Sequence, residues 1–143
     1  MFKKVMIAYD QSPEAGRALQ AGIELARAVG AELKVITVLE RIPSYYSFAV
    51  AATAVPVEEW QGDQHRRGEG LRQKARKALS SAGIFPEVDL IEGDEVGTIL
   101  GCARDYHADL LVLGMRKHHG WFDNGHTAHD IAEASPCAVL GVR

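Results

Sequence analysis

At 143 residues the chain has room for one domain, spanning residues 1–143, with a buried core and no second unit. A composition of 47% hydrophobic and 24% charged residues, both signs interspersed, excludes disorder. A net charge of -3 leaves no basic field for nucleic acid, and no run is long and apolar enough for a membrane, so a soluble cytoplasmic protein is expected.

The first element is a strand over Lys3 to Tyr9, β-branched and apolar enough to be buried. Asp10-Gln11-Ser12-Pro13 closes it with helix-start chemistry, Ser12 as N-cap and Pro13 in the first turn. Ala15, Ala18, Leu19, Gly22, Ile23, Ala26 and Val29 then recur at helical spacing, and Gly30 stands where a left-handed C-cap residue belongs. A second strand follows over about Glu32 to Val38. Leu39 to Val55, with paired tyrosines and many alanines, is expected to be irregular. Tyr45, Tyr46 and Phe48 in it suit either a partner surface or a flap packed on the fold.

From Val57 to Ala82 a charged helix is expected, with Trp60, Leu71, Ala75, Ala78 and Leu79 as its inner face. Gly62, Gly68 and Gly70 each cost about 1 kcal/mol relative to alanine inside a helix, so its first half is expected to be broken or displaced. "EVDLIEG" supplies a third strand, "EVGTILGCARDY" a third helix and "ADLLVLG" a fourth strand. Gly125 to Ser135 reads as the last helix and "CAVLGV" as the last strand. Cys102 and Cys137 lack metal or redox spacing and are expected to be buried as small hydrophobes. The β-α alternation predicts an α/β fold with a mostly parallel, doubly wound sheet covered by helices on both faces.

In such a sheet, ligands bind beyond the carboxyl ends of the strands, where the strand order reverses. The residues in that position are Asp10 after the first strand, Leu39 after the second, Gly93-Asp94 after the third and the loop Gly114 to Asn124 after the fourth. Neither G-x-x-x-x-G-K-[ST] nor G-x-G-x-x-G occurs, which excludes a P-loop enzyme and the usual dinucleotide oxidoreductase. Gly114 and the helix start at Gly125, with the N–H groups of His126 and Thr127, form the available anion-binding geometry.

The segments "VMIAYDQSPEAGRALQAGIELARAVGAELKVITV", "ADLLVLG" and "SPCAVLGV" resemble the universal stress protein family across nearly the whole chain, with the Leu39 to Gly70 region the weakest. The resemblance implies a five-stranded parallel sheet of order 3-2-1-4-5 and a dimer. It also implies ATP or AMP as the cofactor to test, with Asp10 and Val38 at the positions that lie near adenine. ATP-binding members carry glycine, two residues, glycine, nine residues, then Gly-Ser or Gly-Thr after strand four. Here Gly114, after Leu113, fits the first position, but Lys117 occupies the second. Anchoring from "SPC" places Gly125 at the third glycine two residues early, with His126 where the hydroxyl residue belongs. In length and in His, Trp and Phe content this loop is similar to UspA-type members that lack the ATP motif. Against that, Arg116, Lys117, His118 and His119 are phosphate-friendly, and Thr127 offers a hydroxyl.

His126 and His129, three apart on a helix, could face a metal together, but no carboxylate or cysteine pattern completes a site, so no metal is expected. Trp121 and Phe122 suit stacking on a base, though such aromatics more often cap an open cleft or meet a subunit. Asp10 has no nucleophile implied beside it, and its ordinary role is helix-start hydrogen bonding. The expectation is a non-catalytic stress-response module that forms a homodimer through the C-terminal edge strand, engages unknown protein partners and has weak or absent ATP binding. The alternative is an ATP- or AMP-binding sensor or slow hydrolase using Asp10, Val38, Leu113, Gly114, Arg116, Lys117, Gly125, His126 and Thr127.

Overall fold

In a computed structural model the described residues are 1–41, 52, 56–116 and 126–143, the side chains of 57 and 126 excepted. Five strands, β1 (Lys4–Ala8), β2 (Glu32–Glu40), β3 (Val88–Gly93), β4 (Leu110–Gly114) and β5 (Ala138–Val142), pair in parallel in the order β3-β2-β1-β4-β5. Between them run α1 (Pro13–Val29), α2 (Val57–Ser81), α3 (Glu95–Tyr106) and α4 (His126–Ala134). The expected architecture and strand order are both observed.

The central strands are buried on both faces, which is why β1 and β4 read as continuous apolar runs instead of alternating ones. Val5, Ile7, Val35 and Val112 pack with Ala18, Leu19, Ile23, Ala75 and Leu79 under α1 and α2. Met6, Ile36 and Leu111 pack with Ile99, Leu100, Ala103 and Ile131 under α3 and α4. Gly22 lets α1 lie close on the sheet, because a Cβ there would stand 2.5 Å from Cδ1 of the fully buried Ile7.

Helix ends follow the sequence signals. The Ser12 hydroxyl accepts from the Ala15 N–H at 3.1 Å, Pro13 opens α1, and Gly30 ends it at φ 68°. Asp94 caps α3 by accepting from Gly97 N–H at 2.7 Å, so this residue, which followed a strand and was a candidate for ligand binding, serves the helix.

Two expectations are corrected. α2 is continuous from Val57 to Ser81, neither broken nor displaced at its glycines. Gly70 faces open space and a Cβ at Gly62 would meet only Arg66 Nη1, at 4.0 Å, whereas Gly68 meets β2 closely, a Cβ there lying 2.7 Å from Leu39 Cδ2. Tertiary packing thus outweighs the propensity cost. Cys102 and Cys137 are half-buried, not buried, each at the margin of the α3/α4 core. β2 also runs two residues beyond Val38, to Glu40; residues 42–51 and 53–55 of the irregular segment, with Tyr45, Tyr46 and Phe48, lie outside the described residues.

Candidate functional site

The carboxyl ends of β1, β2 and β4 open into a cleft of about 630 Å³, inside the roughly 300–1,000 Å³ typical of small-molecule sites. It lies at the reversal of strand order, where β1 is flanked by β2 on one side and β4 on the other. Asp10, Val38, Leu113, Gly114, Arg116 and Thr127 all line it, so six of the nine candidate residues are brought together from four separate parts of the chain. Lys117 and Gly125 lie outside the described residues, as do His118, His119, Trp121 and Phe122. His126 begins α4.

Asp10 is held at the rim by local geometry. Its Oδ1 accepts from the Ser12 N–H at 2.7 Å, and its Oδ2 lies 4.0 Å from the Arg116 guanidinium. The carboxylate is therefore already an acceptor on one side and faces a cation on the other. Gly114 has a structural reason for being glycine: a Cβ would stand 2.5 Å from the Ala15 amide nitrogen and 2.7 Å from the Glu14 carbonyl carbon. The end of β4 thereby touches the start of α1, which fixes the cleft's back wall.

Several lining residues escaped the sequence reading. Thr37 on β2 is 1% exposed, and its hydroxyl has no hydrogen-bond partner among the described residues. Leaving such a group unpaired costs about 1–3 kcal/mol. Trp60, Gln64 and Arg67 share one face of α2, spaced i, i+4 and i+7, and that face looks onto the cleft. The same spacing could have revealed it, but Trp60 reads equally well as a core residue. Glu40 at the end of β2 and Glu95 at the start of α3 also line the cleft, and both satisfy the strand-end rule that found Asp10.

Among the described lining residues, Asp10, Glu40, Glu95 and Asp130 carry negative charge, against Arg67 and Arg116. The excess of carboxylates shows in Glu95, whose acidity is weakened first by burial and then by Glu40 and Asp10, with Arg116 opposing. Burial, with Asp10 adding to it, also pushes the Tyr9 phenol up. No group of three or more His, Cys, Asp or Glu able to hold a metal occurs among the described residues.

The universal stress protein family matches residues 1–143. The chain is 31% identical to "Universal stress protein in QAH/OAS sulfhydrylase 3'region" of Thermus aquaticus and 27% identical to "Universal stress protein YxiE" of Bacillus subtilis, in both cases with 100% of each chain covered. Its fold is similar to UspA from Lactobacillus plantarum, with a TM-score of 0.76, 16% identity, and 99% and 98% of the two chains covered. It is similar also to a universal stress protein in complex with cAMP (TM-score 0.74, 20% identity, 99% and 97% covered). A third solved relative is the Archaeoglobus fulgidus universal stress protein in complex with dAMP (TM-score 0.73, 19% identity, 99% and 98% covered). With the whole chain matched and the strand order observed, this protein belongs to the universal stress protein family.

Proposed function

We propose that the chain is a non-catalytic, cytoplasmic stress-response module whose cleft holds an adenine nucleotide, with weak affinity for ATP. The observation that carries this reading is the convergence of Asp10, Val38, Gly114 and Thr127 on one cleft of about 630 Å³. Solved relatives of the same fold supply the ligand class, one in complex with cAMP and another with dAMP. The residues present fit an adenosine moiety. Asp10 and the β2 end at Val38 offer acceptors and backbone to the base, and the Thr37 hydroxyl, without a partner among the described residues, lies in the same floor. Arg116, at the β4 end, is the cation placed to meet a phosphate.

The bound nucleotide would act as a signal, not as a reactant. Asp10, the carboxylate best placed to serve as a base, is engaged by Ser12 and faces Arg116. Its role is to order the rim and to recognise the ligand. A homodimer through β5, an outer strand of the sheet, completes the proposal and would present the unidentified protein partners with two clefts per assembly.

Thermal denaturation with added nucleotide tests the reading. Ligand at ten times its dissociation constant stabilises the folded state by about 1.4 kcal/mol, which for a chain of this size raises Tm by roughly 3–6 °C. Millimolar AMP is expected to give such a rise, and ATP incubated with the protein is expected to release no phosphate above the buffer control. No shift with any adenine nucleotide would refute nucleotide binding; steady phosphate release would refute the non-catalytic role.

A further inference from the structure

We propose that Glu40 and Glu95 make this cleft selective by charge, admitting adenine nucleosides and nucleoside monophosphates in preference to triphosphates. The inference deepens the nucleotide reading above and rests on it. Glu40 ends β2 and pairs in register with Gly93, the last residue of β3. Glu95 opens α3 two residues after Gly93, so the sheet itself carries both carboxylates to the same rim. Glu95 is only partly exposed, which restricts its escape into solvent.

Asp10 and Asp130 add to this charge, while Arg67 and Arg116 oppose it, leaving four carboxylates against two guanidiniums among the described lining residues. Arg116 is in part committed to Asp10, at 4.0 Å. Glu95 reports the resulting potential, since Glu40, Asp10 and Asp94 all hinder its ionisation beyond the effect of burial, with Arg116 alone opposing them. Coulomb energy scales with the product of the charges, so each phosphate added to the ligand raises the repulsion while the adenosine contacts stay the same.

Titration calorimetry on the full chain with AMP and with ATP, free of divalent metal, measures the selectivity directly, with adenosine as the uncharged reference. At low ionic strength AMP is expected to bind about tenfold more tightly than ATP. At roughly 0.3 M salt the ratio is expected to shrink severalfold, because exposed charges are then screened over less than about 10 Å. Glu95→Gln and Glu40→Gln, which keep side-chain size and remove charge, are each expected to move the AMP:ATP ratio towards unity. ATP binding as tight as AMP in the natural sequence, or a ratio that neither substitution nor salt moves, would overturn charge selection and leave nucleotide binding standing. No binding of adenosine, AMP or ATP would overturn both.

Discussion

Asp109 accepts from the backbone N–H of Lys3 at 2.7 Å and of Lys4 at 3.1 Å, tying the start of β1 to the start of β4. The Lys3 bond is the largest of the causes that hold its carboxyl below the usual aspartate range. The stability it contributes is therefore present above the unfolded-state pKa and is lost as pH falls through the lower folded value. Asp109→Asn is expected to lower Tm at neutral pH and to narrow the gap from the natural sequence in strong acid; equal Tm values at both would show these bonds to be idle. Glu95 has the opposite sign. Its folded pKa is raised, so its contribution is full below the unfolded value and is lost as pH rises through the folded one. Glu95→Gln should accordingly raise Tm at neutral pH, with the gain vanishing below the usual glutamate range; thermal scans at both pH values check the crossover. Sequence reasoning reached Asp10 because it follows a strand, and Val38 through the family resemblance. It missed Thr37 because a threonine inside a strand carries no sign of whether its hydroxyl will find a partner.

α2 and α1 show how the same residue type acquires opposite meanings inside a helix. Gly70 on α2 faces open space with no atom within 4 Å of an added Cβ, so Gly70→Ala should stabilise the fold by about 1 kcal/mol. Gly22 on α1 would drive a Cβ into Ile7, which is wholly buried, so Gly22→Ala should destabilise by about 1–3 kcal/mol despite its better helix propensity. Urea midpoints at constant slope measure both, and equal shifts of the same sign would contradict this packing of the two helices. α1 was legible to the residue because Ser12, Pro13 and Gly30 mark both ends. α2 was legible in extent but not in continuity. Its three glycines argue for a break locally, and only the sheet beneath Gly68 and Leu79 shows why the helix persists.

At the level of the whole molecule, strand order decides where function is placed. Alternating β and α patterns imply a parallel sheet. The order β3-β2-β1-β4-β5 then puts the cleft beside β1 and leaves β5 at an edge with Ala138 and Gly141 exposed. An unpaired edge invites a second copy, and sedimentation velocity at micromolar concentration is expected to give twice the chain mass; a monomer would contradict pairing through β5. The loop after β4 was readable as a departure from the ATP-binding pattern, but its glycine spacing alone does not determine what the cleft accepts. The charges that line the cleft come from the segments after β1 and β4 and from β2, α2, α3 and α4, which meet only in the folded chain. Amide chemical-shift mapping with AMP tests most directly whether the carboxyl end of the sheet is an adenine-nucleotide site. Shifts that saturate and cluster at Asp10, Val38, Gly114 and Thr127 are predicted. Saturable shifts confined to the amino ends of the strands or to β5, with those four amides unmoved, would contradict it.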